Sequence, residues 1–295
     1  MKTAMIGLGD IAEKAYLPVL AAQPGLDLHL CTRDSARLDR LGDAYRIARR
    51  FTSVDDLIKE GIEAAFVHAA TEAHPAIVEP LLSAGVHVYV DKPIAYTLED
   101  CARLVRLARA EGRSLMTGFN RRYAPGYAGL VTLPRHLILM EKNRENSPDD
   151  PRRVIFDDFI HVVDTLRFLA PGPVTHTAVD ARVTGGLLEH VVLHLSGAGF
   201  TAVGVMNRVS GASEESCEVM GEGVKRRVVN LGDVIDHRGG EVLARRPDWV
   251  PVARQRGIEQ TCLEFLAAVR AGRRVDAEDA LRTHALCEEI VSRAA

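Results

Sequence analysis

The chain has 295 residues, 47% hydrophobic and 26% charged, enough for two modest domains with cores of their own. A net charge of −3, with basic residues scattered among acids, gives no global field for nucleic acid or an anionic membrane surface. No run of ~18 apolar residues offers a membrane span, and the first apolar stretch runs straight into a glycine turn, leaving no room for a signal peptide. The five cysteines form no Cys-x-x-Cys pair, which points to reduced thiols and a cytoplasmic home.

Residues 3–6 read as a first strand. Gly7-Leu8-Gly9-Asp10-Ile11-Ala12 follows, and a helical stretch runs from 11 through 20. Strand, glycine turn and helix in this order form the dinucleotide fingerprint. Gly7 permits the tight turn, Gly9 lets the backbone approach a pyrophosphate, and Ala12 allows close helix–strand packing. The helix N-terminus, opened by Asp10 and Ile11, offers amide donors to the phosphates. A second strand over 26–31 ends in Cys31-Thr32-Arg33-Asp34-Ser35. Thr32 stands where an NAD-dependent protein places an acid for the ribose hydroxyls. Arg33 can pair with a 2′-phosphate and stack on adenine, so NADP(H) is expected, with NAD(H) possible. The alternative makes Arg33 a solvated loop charge and leaves the ribose to Asp34.

Strand–helix alternation continues. Residues 35–45 read as a helix, 49–51 as a short strand, and Ser53 as the cap of another helix. A strand over 64–70 ends in Ala70 and Thr71, which join the expected cofactor set. His74, on the loop beyond, either lines the cofactor cleft or is an ordinary loop histidine. A helix over 76–85 leads to an apolar strand over 86–90, which stops at Asp91-Lys92-Pro93 because proline cannot donate to a sheet ladder. That leaves Lys92 at the carboxyl end of a strand, where open parallel sheets bind ligands. Thr97 opens the next helix with a near capping box, and 114–118 reads as a further strand. These repeated units predict a doubly wound parallel sheet.

Near Asn120 the pattern changes. Residues 135–142 read as a strand and 156–169 as a helix with Pro171 beyond its end. From 174 to 231 the period is two, with short glycine turns that form antiparallel hairpins. Two helices over 258–271 and 277–293 finish the chain. The expected fold class is α/β: a Rossmann dinucleotide-binding domain over 1–119, then an α+β domain over 120–295 with a mainly antiparallel open sheet. The C-terminal helices are free to pack back on the first domain. Asp157 and His161 lie four apart in the second-domain helix, so both are expected on one face, with Asp164 three further on. A lysine, an imidazole and a carboxylate suit alcohol–ketone redox chemistry beside a nicotinamide. His161 can take the hydroxyl proton, Lys92 can hold the substrate oxygen, and Asp157 can orient His161 or hold a neighbouring hydroxyl. A plain i,i+4 surface pair is the alternative. His190 and His194 fall in a strand, where residues four apart stand ~13 Å from each other, so no metal is expected. Trp249 and Pro251 read as a packed loop.

Taken together, four motifs resemble the glucose–fructose oxidoreductase / inositol dehydrogenase / MocA (Gfo/Idh/MocA) family. Gly7-Leu8-Gly9 with Leu17-Pro18 is similar to its cofactor turn. Asp91-Lys92-Pro93 is similar to its Glu-Lys-Pro signature, with a shorter acid. Asn120-Arg121-Arg122-Tyr123-Ala124-Pro125 is similar to its Asn-x-Arg-aromatic-x-Pro junction, and Asp157 to Asp164 to its Asp-x-x-x-His run followed by Asp. The resemblance implies that Lys92, Asp157 and His161 carry substrate chemistry, with Asn120 and Arg122 beside them on the substrate and Asp91 and Lys92 beside the cofactor. It implies a sugar, cyclitol or similar small substrate, and a homodimer or homotetramer through the C-terminal sheet. A non-catalytic nucleotide-binding sensor and an NAD-dependent redox-assisted glycosidase, both found on this fold, are the alternative functions.

Overall fold

The computed structural model describes residues 1–294. The chain forms two compact units, Met1–Gly118 with Ile258–Leu281, and Phe119–Gly257 with the chain from Arg282 onward. The first unit carries β1 (Lys2–Ile6), α1 (Leu17–Ala21), β2 (Asp27–Cys31), α2 (Ser35–Ala44), β3 (Arg50–Phe51), α3 (Val54–Lys59), β4 (Ala64–Val67), α4 (His74–Ser83), β5 (His87–Val90), α5 (Leu98–Ala110) and β6 (Leu115–Thr117). Its six strands lie in the order β3-β2-β1-β4-β5-β6, all parallel. This is the doubly wound order, whose direction reverses beside β1. Burial of β1, β4 and β5 on both faces explains their near-continuous apolar sequences. Ile6 pairs with Cys31 on one side and Val67 on the other, so Gly7, Thr32 and His68 leave the sheet from one level.

Several local expectations meet their physical reasons here. Thr97 caps α5 by accepting the Asp100 N–H. Ser53 stands at the cap of α3 but its side chain makes no capping bond. The fourth strand ends at Val67 rather than at residue 70; residues 68–70 are irregular, and Thr71–Ala73 then winds into a 3₁₀ turn that feeds α4 directly. His74 is therefore the first residue of a helix and not a loop residue.

The second unit carries α6 (Pro125–Ala128), β7 (Leu137–Asn143), α7 (Pro151–Val154), α8 (Ile160–Leu169), β8 (His176–Thr184), β9 (Leu187–Gly197), β10 (Phe200–Asn207), β11 (Glu214–Gly221), β12 (Val224–Val229), β13 (Asp233–His237), β14 (Glu241–Ala244) and α9 (Val252–Gln255). α10 (Ile258–Arg270) belongs to the first unit, and α11 (Glu278–Ala294) ends the chain. The sheet has eight strands in the order β14-β13-β12-β11-β7-β10-β9-β8. Every pairing is antiparallel except β7 with β10, which is parallel and joins the early strand to the later hairpins. One face of β10 is buried at alternate residues, where α8 packs. Gly204 makes this possible: a Cβ there would stand 2.4 Å from Val162 Cγ1. The opposite face leaves Leu137 and Leu139 exposed. β13 and β14 extend the sheet beyond the two hairpins that the period-two pattern marks, and Trp249, expected in a packed loop, is 96% exposed.

The helix expected over 156–169 changes pitch. Asp150 caps α7 by accepting the Arg153 N–H, a π turn spans Ile155–Phe159, and α8 then runs to Leu169, two residues before Pro171. The i→i+5 bonding of that turn replaces the regular α-helical pitch at Asp157, just ahead of His161.

Candidate active site

In the first unit, the ends of β1, β2 and β4 surround a cavity of about 510 Å³. Gly7 and Gly9 line it at the turn, Thr32 and Arg33 at the end of β2, and Ala70 beyond β4. Gly7 has φ +83°, and a Cβ there would stand 2.5 Å from Ala69 N, so no other residue fits the turn. A Cβ at Gly9 would meet no protein atom. No packing need therefore requires that glycine; what it keeps clear is the approach to the turn, as a pyrophosphate would need. The residues present thus fit a dinucleotide. Asp10 lies outside the cavity lining and pairs with Lys14 at 2.6 Å, and Ile11 stands half exposed at the opening of the helix. Thr71 lies in the 3₁₀ turn beyond Ala70.

Two cavity residues carry no motif signal. Arg37, on α2, donates from Nη1 to the Leu8 carbonyl at 2.9 Å and so braces the glycine turn. Asp34 accepts the Arg37 N–H at 3.0 Å as the cap of α2, which commits one of its oxygens. His68, buried just beyond β4, tilts its ring 4.0 Å from that of Tyr16 and places Nδ1 3.8 Å from Asp91 Oδ2. Only alternation of an otherwise apolar strand passes through positions 66 and 68, so a histidine there reads as one more core residue.

Asp91 and Lys92 follow β5, and the Lys92–Pro93 peptide is cis. Asp91 Oδ1 accepts the Lys92 N–H at 2.8 Å. Burial alone would raise the Asp91 carboxyl, but the His68 imidazole and the Lys92 charge outweigh it and hold the group below the ordinary carboxylate range. His74 does not line the cavity. Its ring is 1% exposed, with Nδ1 2.9 Å from the Pro93 carbonyl and Nε2 3.0 Å from the Ala69 carbonyl.

In the second unit, the Asn120–Tyr123 turn and the Asp157–Asp164 segment are held by ionic contacts. Asn120 donates to the Arg256 carbonyl at 2.7 Å. Arg121 grips Glu215 through two bonds of 2.8 and 2.6 Å, and Tyr127 Oη adds a third at 3.0 Å. Arg122 grips Asp164 through bonds of 2.8 and 2.6 Å, and Thr283 donates to the same carboxylate at 3.0 Å. Asp158, adjacent to Asp157, accepts from Arg144 at 2.7 and 2.9 Å and from Arg208 at 2.8 Å. Lys142 joins the two clusters, 3.2 Å from Glu215 and 3.3 Å from Asp158. Burial would raise both acids. Arg121 and Lys142 instead hold Glu215 far below the carboxylate range, while Arg144, Lys142 and Arg208 lower Asp158 to about 2. Burial and then the Arg121 charge push the Lys142 ammonium down, against the pull of the two acids. His161 is 9% exposed in the first turn of α8, and Thr165 Oγ1 donates to its carbonyl at 2.7 Å. Asp157 is half-buried in the π turn. Among the described residues no cluster of three or more His, Cys, Asp or Glu could hold a metal ion.

Residues 1–119 match the family model described as an oxidoreductase family with an NAD-binding Rossmann fold, and residues 133–238 match a YceM-like C-terminal domain. The protein YceM of Salmonella typhimurium is 35% identical over 92% of this chain and 90% of its own. A Gfo/Idh/MocA family oxidoreductase from Vibrio cholerae superposes with a TM-score of 0.92 at 31% identity, covering 99% of both chains. The chain belongs to the Gfo/Idh/MocA oxidoreductase family. It is an NAD-binding oxidoreductase of the dehydrogenase class. A further family relative, the myo-inositol dehydrogenase Hyg17 of Streptomyces leeuwenhoekii, is 31% identical over 61% of this chain and 59% of its own. As in the family signature, this chain has a lysine–proline turn after its fifth strand, preceded here by the shorter acid Asp91. Among the described residues no helix is long and apolar enough to cross a membrane.

Proposed function

We propose that this chain transfers a hydride between NADP(H) and a secondary alcohol or ketone of a sugar, cyclitol or similar polyhydroxylated metabolite. The observation that carries the cofactor choice is the end of β2. Thr32 replaces the ribose-binding acid, Asp34 is committed to capping α2, and Arg33 and Arg37 line the same cavity. Two guanidinium groups and a helix N-terminus suit a 2′-phosphate. NAD(H) is the second reading, favoured by the second Asp34 oxygen, which stands 3.9 Å from Arg37 Nε and can accept a ribose hydroxyl. The substrate class rests on the relative named as a myo-inositol dehydrogenase and on the Lys92, Asp157 and His161 set.

The bound nicotinamide supplies the hydride acceptor or donor. Gly7, Gly9 and Arg37 shape the turn that receives the pyrophosphate. Lys92 Nζ hydrogen-bonds the substrate oxygen and steadies the charge that develops on it. An imidazole nitrogen of His161 takes the hydroxyl proton during oxidation and returns it during reduction. Asp157 fixes the His161 ring or holds an adjacent hydroxyl. The open face of the eight-stranded sheet, with Leu137 and Leu139 exposed, is the proposed contact of a homodimer or homotetramer.

Fluorescence titration with NADPH and NADH tests the cofactor choice; tighter binding of NADH would reverse it. Lys92→Ala and His161→Ala, assayed on a panel of polyols and the matching ketones, test the chemistry. Each is expected to lower kcat by ~100-fold or more, His161 as a proton-transfer group and Lys92 as the group that steadies charge on the substrate oxygen. Undiminished turnover in both variants overturns the assignment.

A further inference from the structure

The His74 imidazole is held between two backbone carbonyls that belong to different functional segments. Nδ1 lies 2.9 Å from the oxygen of Pro93, the residue after Lys92. Nε2 lies 3.0 Å from the oxygen of Ala69, which lines the nucleotide cavity. Ala69 is also the residue against which the Gly7 turn packs, since a Gly7 Cβ would stand 2.5 Å from its nitrogen. The ring therefore spans from the wall of the cavity to the turn that carries Lys92.

A neutral imidazole has one N–H and one lone pair. Two carbonyls on opposite edges of the ring both want a hydrogen, so the neutral ring satisfies one at a time. Only the imidazolium donates to both. Burial pushes the His74 imidazole below its ordinary value, against the pull of the Pro93 carbonyl, the Asp91 charge and the Ala69 carbonyl, and the His68 ring adds to the lowering. At neutral pH the ring is thus a single donor with two competing acceptors. Moving the Ala69 carbonyl alters which tautomer is favoured, and with it the hold on Pro93.

We infer that His74 is a positioning residue that couples occupancy of the nucleotide cavity to the placement of Lys92. The inference rests on the reading above, in which the cavity takes the nucleotide and Lys92 meets the substrate. It goes beyond that reading by assigning the link between them to one side chain that touches neither. A purely structural histidine could hold the same two carbonyls, but its tautomer would not respond to the ligand.

The experiment uses the whole chain with NADPH and NADH as probes. First, ¹⁵N spectra of imidazole-labelled protein report the tautomer of His74, identified by the signals that His74→Gln removes. His74→Asn serves the same purpose should the glutamine variant not fold. Second, Lys92 acylation by an amine reagent is followed by peptide mass spectrometry, with and without nucleotide, in the wild type and the variant. Nucleotide is expected to shift the His74 tautomer ratio in the wild type. Its effect on the Lys92 labelling rate is expected to differ between wild type and variant by about fivefold or more, the usual floor for coupled sites. A tautomer ratio unchanged by bound nucleotide, together with additive effects of nucleotide and substitution, overturns the coupling and leaves the oxidoreductase reading intact. Failure of both nucleotides to quench or bind overturns that reading, and the coupling with it.

Discussion

Arg122 and Asp164 form a two-pronged ion pair, Nε to Oδ2 at 2.8 Å and Nη2 to Oδ1 at 2.6 Å. It ties the Asn120–Tyr123 turn to the middle of α8, one turn of helix beyond His161. Asp164 is almost wholly buried, and this partner and Thr283 supply its carboxylate with donors. Arg122→Ala is expected to destabilise the protein by about 3 kcal/mol, the cost of leaving a buried carboxylate without its cation. Arg122→Lys should recover only part, because a lysine cannot make both prongs. Thermal denaturation reads both. An unchanged melting temperature with a raised KM would instead give Arg122 a substrate role and no structural one.

Lys142 sits 4% exposed between Glu215 and Asp158. Both acids have folded-state values below their unfolded ones, so each contributes stability that is complete above the ordinary carboxylate range. That stability drains away as the pH falls through the folded value. For Asp158 the window runs from about 4 down to about 2, worth about 2 kcal/mol. Urea unfolding between pH 6 and pH 2.5 is expected to show this loss. In Asp158→Asn the protein should be weaker at pH 6 yet lose less on acidification. An acid profile parallel to that of the wild type would contradict the assignment.

Gly7 and Gly9 are predicted to fail differently. Gly7→Ala places a methyl group against the Ala69 backbone at a positive φ, so the variant should lose several degrees of melting temperature or fail to fold. Gly9→Ala meets no protein atom and should melt within about 2 °C of the wild type, while its nucleotide affinity falls about tenfold or more. Melting curves and fluorescence titrations of the two variants side by side distinguish a folding glycine from a binding glycine.

Arg33→Ala is expected to raise the NADPH dissociation constant about tenfold or more, the value of a charge-assisted contact to phosphate, while changing NADH by less than about threefold. Arg37→Met should weaken both nucleotides, since Arg37 also braces the Leu8 carbonyl. Equal losses for NADPH and NADH in Arg33→Ala would remove the 2′-phosphate argument.

Much of the architecture could be read from residue order. The Gly7–Ala12 turn, the apolar runs that became β1, β4 and β5, and the glycine-centred hairpins of β9–β10 and β11–β12 are all local signals. Each is set within a few residues, by backbone freedom or by alternation of burial. Element ends were less legible, as at Val67, where the strand stops three residues early and irregular chain leads to a 3₁₀ turn at Thr71–Ala73. The exposed Trp249 followed no local rule at all.

The sequence by itself determined the fold class, the dinucleotide turn and the family, because short-range steric and hydrophobic patterns specify strands, turns and helices and leave their marks in order. Beyond local caps such as Thr97, tertiary structure decided what the polar residues do. Charges distant along the chain have no periodicity, so nothing in the order of residues pairs Lys142 with Glu215 or Arg122 with Asp164. Nor does spacing foretell that a π turn would precede α8, or that His74 would stand buried between Ala69 and Pro93. Those outcomes depend on which groups burial strips of water, and burial is a property of the packed chain.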